Sequence, residues 1–199
     1  MGFYLNFGRW PDGIIYYKNE FPKKDLILNR MKYIEDNSSI TFQEVSNSDS
    51  NKNFLRIKTL QNSSEREGTR PGMLAGGSVL NLKLTNDEKK LSRKILHELC
   101  HVAGCLHEHQ RSLRTTFIKV NKQNIITKQD QYDILKGFNY KEEGNYDFES
   151  ITHYATGDNG NGNKIIEILD SSNSHYSNIM GTQDKLSQND ISTLKKMYK

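Results

Sequence analysis

The stretch His97-Glu98-Leu99-Cys100-His101-Val102-Ala103-Gly104-Cys105-Leu106-His107 constrains this chain more than any other. Leu91, Ile95, Leu99 and Val102 give an apolar face to a helix that Thr85-Asn86-Asp87 can start and that runs to Ala103. His97 and His101 lie one turn apart on the same face, so both imidazoles can reach one metal ion. Glu98 sits beside that face, where it can take a proton from a metal-bound water. A third ligand cannot come from the same straight helix. Gly104 readily adopts the left-handed conformation that ends a helix, and the chain turning back there brings His107 to the metal from another side. Three imidazoles with an open position describe a catalytic zinc site, whereas a structural site closes with four protein ligands. One zinc per chain is expected, on His97, His101 and His107.

Composition narrows the remaining classes. The 199 residues suffice for one domain or two joined subdomains with a real core. Aromatic residues make up 10% and apolar residues recur in patterned segments, which argues against disorder. No apolar run approaches the roughly 20 residues of a membrane-spanning helix, and no apolar signal segment opens the chain, so no membrane partner is expected. The formal charge is +4 with Lys and Arg scattered, and no nucleic-acid motif occurs, so no nucleic-acid partner is expected either. Cys100 and Cys105 are the only cysteines, which rules out a disulfide framework. A reversal at Gly104 could bring the two together, so their redox state stays open.

The first half reads as strands and helices. Ile14–Tyr17 is a short strand behind the Asp12-Gly13 turn, and Lys23–Asp36 a helix with Ile27, Met31 and Ile34 on one face. Ile40–Val45 and Leu55–Leu60 alternate like strands around a polar loop, and Val79, Leu82 and Leu84 suggest another. The second half is less regular, with a loop at 157–162. Ser187 and Asp190 resemble a capping box for a final helix, with Leu186 able to staple Ile191. Ile191, Leu194 and Tyr198 mark that helix's inner face.

The residue after His107 is Glu108, giving HExxHxxGxxHE. The extended signature is that of metzincins, and the added glutamate makes the chain resemble the astacin family. Arg9–Tyr17 is similar to that family's N-terminal WxxGxIxY stretch, Tyr146–Tyr154 to its YDYxSxMHY, and Gly181 with Leu186–Asp190 to its GxxxxLSxxD run. The Asn- and Lys-rich composition suggests a bacterial member. The resemblance implies an α+β metzincin-like catalytic domain. Its upper half would hold a twisted mixed sheet with two helices, and its irregular lower half a C-terminal helix, with the active-site cleft between. Residues 1–104 and 105–199 would be the two subdomains of this single domain.

The resemblance further implies a secreted zinc endopeptidase acting on protein or peptide substrates, monomeric, with an inhibitory prosegment in its precursor. Glu98 would be the general base and Tyr154 a switchable fifth zinc ligand that also stabilises the oxyanion. Glu108 would bond the mature N-terminal region near Met1-Gly2. An extended substrate would pair with an edge strand within Ser63–Gly76, and Gln183 and Lys185 are candidates for side-chain preference. Thr152 stands where the family has the Met-turn methionine; neighbours would fill the missing volume and its hydroxyl would bond a backbone carbonyl. The family's framework cysteines are absent, with Ser39 at one such position, and its RxDRD run reads Arg111-Ser-Leu-Arg114-Thr115. These departures would also suit a metal-bearing binding module without turnover, against which Glu98 and Tyr154 argue. His109 and His175 are expected at the surface, and His153 packed beside Tyr154.

Overall fold

In chain order the elements are β1 (Phe3–Leu5), β2 (Ile14–Asn19), α1 (Lys24–Asn37), β3 (Thr41–Glu44), β4 (Leu55–Thr59), β5 (Ser78–Leu82), α2 (Glu88–Val102), β6 (Ile118–Val120), β7 (Tyr140–Glu142), β8 (Ile166–Ile168) and α3 (Gln188–Met197). They are taken from a computed structural model that describes residues 2–46, 53–62, 65–137, 139–158 and 160–199. The polar loop expected after Val45 falls mostly outside them.

The main sheet runs β3-β2-β4-β5 with every neighbour parallel. Parallel neighbours need a crossover, and α1 supplies the one between β2 and β3. A bridge between Gly68 and Asn81, outside the named pairings, is antiparallel and makes the sheet mixed. On β2, Ile15, Tyr17 and Asn19 are buried and alternate with half-exposed neighbours. The inward set of β5 is Ser78, Leu80 and Leu82, while Val79 and Leu84 are exposed. Strand parity exposes Val79, which is out of step with Leu80 and Leu82, whereas Leu84 lies beyond the end of the strand.

α1 buries Ile27, Met31 and Ile34, as their spacing predicts. α2 starts where the Asp87 side chain accepts from Lys90 N at 3.0 Å. Both helices share one core with Ile15, Leu55, Ile57 and Leu80 of the sheet. The lower half relies on two antiparallel pairs, β1 with β7 and β6 with β8, and on a second cluster around Ile118, Tyr146, Phe148, Ile166 and Met180.

α3 carries the expected capping box, with Ser187 Oγ accepting from Asp190 N and Asp190 Oδ2 from Ser187 N, each at 3.0 Å. Leu186 and Ile191 lie in the main core with Leu194, Met197 and Tyr198. Trp10 Nε1 donates to Val102 O at 2.9 Å and the Tyr198 hydroxyl to Ala103 O at 2.6 Å. Carbonyls at the end of α2, which have no partner within the helix, are thus satisfied from both ends of the chain.

Candidate metal centre and active site

α2 presents His97 and His101, and the turn that ends it presents His107. That turn is a Schellman motif. Gly104 N donates to His101 O at 2.8 Å and Cys105 N to Cys100 O at 3.0 Å, with Gly104 at φ +107°. Cys100 and Cys105 are free, buried thiols whose pKa values burial pushes up.

The Nε2 atoms of His97 and His101 are 3.0 Å apart, and those of His101 and His107 3.1 Å. Each Nδ1 faces an oxygen: Ile151 O at 2.8 Å from His97, Cys105 O at 2.7 Å from His101, Gln110 Oε1 at 3.2 Å from His107. Those oxygens can only accept, so each ring is protonated at Nδ1 and three bare Nε2 lone pairs converge. Such a cluster repels itself unless it holds a cation. Nitrogens about 2.0–2.1 Å from a tetrahedral zinc stand about 3.3 Å apart, close to the spacing here. Burial pushes all three rings down, His97 to about 3, so they are neutral and ready to ligate at neutral pH. The donor set, three neutral imidazoles without thiolate, fits zinc.

Glu98 is 4% exposed beside the triad. Its Oε2 accepts from Thr69 N at 2.9 Å, and its Oε1 pairs with Lys94 Nζ at 2.9 Å. Its carboxyl lies below its ordinary value: burial raises it, and the Lys94 ammonium, by charge and by hydrogen bond, is what lowers it while the histidines are neutral. Neither Lys94 nor Thr69 stood out in the sequence. Gly68 explains itself only in three dimensions: at φ +101°, a Cβ there would stand 2.9 Å from both Glu98 oxygens.

Tyr154 is half-buried on the same cleft, its ring centroid 4.6 Å from that of His107. Burial pushes its phenol up to about 12. The cleft, about 510 Å³, is bounded by residues 65–69 on one rim and by Lys128, Asp130 and Gln131 on the other. Gly68 exchanges backbone hydrogen bonds with Asn81 of β5, which puts this rim at the sheet edge, inside the segment expected for substrate pairing. A larger groove of about 640 Å³ adjoins it, sharing Glu67 and Lys94, but holds no converging donors. Gln183 and Lys185 line a separate pocket with Tyr33 and Ser187, so they are not on the cleft as expected.

The 150–154 turn lies under the triad through Ile151 O. Asp190 holds it there, accepting from Ile151 N at 2.8 Å and Ser150 Oγ at 2.8 Å as well as from its own cap. Burial pushes the Asp190 carboxyl up to about 6, against those hydrogen bonds. The residue that caps α3 therefore also orients His97, a support shell of the kind metal-binding imidazoles use. Thr152 is buried, and its hydroxyl meets Ser150 Oγ at 2.9 Å rather than a backbone carbonyl. A side-chain partner serves because the tight turn folds Ser150 back over it.

His153 packs as expected, with Nε2 at 2.6 Å from Tyr146 Oη and Nδ1 at 2.6 Å from Tyr154 O. His175 is exposed. His109 is not at the surface: it is fully buried, because the short 3-10 turn Glu108–Gln110 directs its ring inward. Glu108 accepts from Arg111 Nη1 at 2.7 Å and Asp147 N at 2.9 Å, and burial pushes it up to about 7 despite the arginine. Among the described residues Glu108 therefore bonds Arg111 and Asp147 and not, as expected, the N-terminal segment; that segment meets Glu143 instead, with Gly2 O accepting from Glu143 N at 3.0 Å. Met1 lies outside the described residues. In place of the lost acidic positions, Arg111 and Arg114 bond backbone carbonyls of Gly144, Asn145, His109 and Tyr132.

Comparison with known proteins agrees with this site. The pattern of the peptidase family Astacin matches residues 5–199. The chain is 36% identical over 107 residues to zinc metalloproteinase nas-6 of Caenorhabditis elegans, covering 52% of this chain and 30% of that protein. It is 28% identical over 198 residues to bone morphogenetic protein 1 of Xenopus laevis, covering 96% and 27%. The chain therefore spans less than a third of those two relatives. Among solved structures, high choriolytic enzyme 1, a hatching enzyme zinc-protease from Oryzias latipes, superposes with TM-score 0.73 at 21% identity, covering 96% of this chain and 92% of that one. Myroilysin superposes with TM-score 0.69 at 20% identity, covering 99% and 98%. These two likenesses establish the α+β metzincin-like fold. With the family pattern running over nearly its whole length, the chain belongs to the astacin family.

Proposed function

We propose that this chain is a zinc-dependent endopeptidase that hydrolyses peptide bonds in proteins. The observation that carries the reading is the convergence of three bare imidazole nitrogens in one cleft with an ionised carboxylate and a neutral phenol. Bound there, zinc supplies Lewis acidity, lowering the pKa of a water toward neutrality and polarising the scissile carbonyl. Glu98 takes the proton of the attacking water and passes it to the leaving amine. Thr69 N and Lys94 hold its carboxylate ionised and in place. The Tyr154 hydroxyl donates to the oxyanion that develops on the substrate, and before substrate binds it would be a further group able to hold the metal. The upper rim at the sheet edge suits an extended polypeptide.

In this reading residues 1–104 and 105–199 are two halves of a single catalytic domain. The same reading makes it a secreted, monomeric enzyme whose precursor carries an inhibitory prosegment. No helix among the described residues is long and apolar enough to cross a membrane.

Digestion of casein with and without a zinc chelator tests the activity. Cleavage is expected to stop on metal removal and return with added zinc; cleavage that persists in metal-free protein would rule the reading out. Tyr154→Phe is expected to lower kcat by about 10²–10³ with little change in KM, the loss typical of one oxyanion donor. An unchanged kcat would leave Tyr154 a packing residue.

A further inference from the structure

Two residues past the last histidine of the triad, His109 has a setting that packing alone does not explain. Its ring is fully buried and lies face to face on Tyr154, centroids 4.0 Å apart and planes 26° from parallel. The other rings on Tyr154 meet it edge-on: His107 at 4.6 Å with planes at 66°, and Tyr132 at 5.4 Å with planes at 77°. His109 Nε2 lies 3.0 Å from Gln131 O on the lower rim of the cleft. That oxygen only accepts, so Nε2 carries the proton and Nδ1 is a bare acceptor. Among the described residues Nδ1 has no hydrogen-bond partner. A buried polar atom left so costs about 1–3 kcal/mol. A phenyl ring would fill the same space without that cost, but could not bond the rim.

We propose that His109 is a positioning residue for Tyr154, clamping the face of its ring and tying that clamp to the cleft rim through Gln131. The inference rests on the reading of Tyr154 as the oxyanion donor. The tie continues across the cleft, because the Gln131 side chain accepts from Arg66 Nη2 of the opposite rim at 3.3 Å. From behind, Arg114 Nη1 donates to the His109 carbonyl at 2.6 Å and to Tyr132 O at 2.6 Å, fixing clamp and rim together. Tyr154 is thereby held on one face where it lines the cleft. Such pre-setting matters because a donor misplaced by about 1 Å can lose about 10²-fold in rate.

Two variants separate the parts of the clamp. His109→Gln keeps an N–H donor but loses the flat ring, and His109→Phe keeps the ring but loses the donor. The first readout needs neither metal nor turnover. The Tyr154 ring signals in a ¹H–¹³C spectrum of the metal-free protein, assigned by their absence in Tyr154→Phe, carry the shielding of the stacked imidazole. They are expected to move in His109→Gln and to stay closer to wild type in His109→Phe. The second is a double-mutant cycle on kcat. His109→Gln is expected to lower kcat by about 10-fold to 10²-fold with KM and zinc content little changed, and to cost almost nothing further in the Tyr154→Phe background. Ring signals unmoved in His109→Gln would overturn the proposal, as would an equal loss of kcat in both backgrounds. A Tyr154→Phe enzyme with full kcat would instead sink the oxyanion role, and the ring signals would then report only whether His109 stacks on Tyr154.

Discussion

Glu98→Gln is expected to lower kcat on a protein substrate by about 10²–10⁴, the range a positioned general base supplies. The zinc content should stay at one per chain, because His97, His101 and His107 hold their tautomers through Ile151, Cys105 and Gln110 and not through Glu98. A glutamine amide is nearly isosteric and can still accept from Thr69 N through its oxygen, so the rim should keep its place. It cannot take a proton from water at neutral pH. The ion pair to Lys94 is lost as well, and that lysine, 36% exposed, is left to solvent. Turnover measured beside metal analysis separates chemistry from ligation. More than a few per cent of wild-type kcat in a zinc-loaded Glu98→Gln protein would remove Glu98 from the base role.

Arg111→Met should be the most damaging single change to stability away from the triad. Arg111 is fully buried, and its guanidinium pairs with Glu108 and bonds the carbonyls of Gly144 and Asn145. Removing one partner of a buried pair strands the other, at about 3–5 kcal/mol. For a chain of this length that corresponds to a fall in Tm of about 6–20 °C.

The deficit should depend on pH with a definite sign. Burial already raises the folded-state pKa of Glu108 to about 7, above its ordinary 4.5. A group with a raised folded pKa favours the fold most below the unfolded value and loses that contribution as pH rises through the folded one. Without Arg111 the carboxylate is still harder to keep charged, so the variant should lose more Tm at pH 8 than at pH 5. Thermal melts at the two pH values check this, and a Tm within about 2 °C of wild type at pH 8 would show that the pair contributes little.

Much of the fold and the triad was legible because both depend on local rules. α1 and α2 follow from apolar spacing, and the break after Ala103 follows from one glycine in a position that favours a left-handed residue. The capping box at Ser187 and Asp190 is likewise a short-range pattern. Other features needed the chain to be folded. Val79, Leu82 and Leu84 suggest a strand without fixing its inward face, and Val79 proves exposed, since composition does not set parity. His109 looked like surface amid polar neighbours, yet a single 3-10 turn buries it. Gln183 and Lys185 sit close in sequence to a run the family shares, and they line a pocket separate from the cleft.

The sequence by itself determined which atoms could meet a metal, because three histidines and a helix-breaking glycine at fixed spacing leave one geometry open. Only the tertiary structure decided what holds those atoms ready. Glu98 is fixed by Thr69 and Lys94, His97 by Ile151 and through it Asp190, and Tyr154 is stacked on His109. Several of these partners are backbone groups or residues far along the chain. Every residue type but proline offers the same N–H and C=O, so the identity of such a partner is written in where the chain passes and not in its side chains.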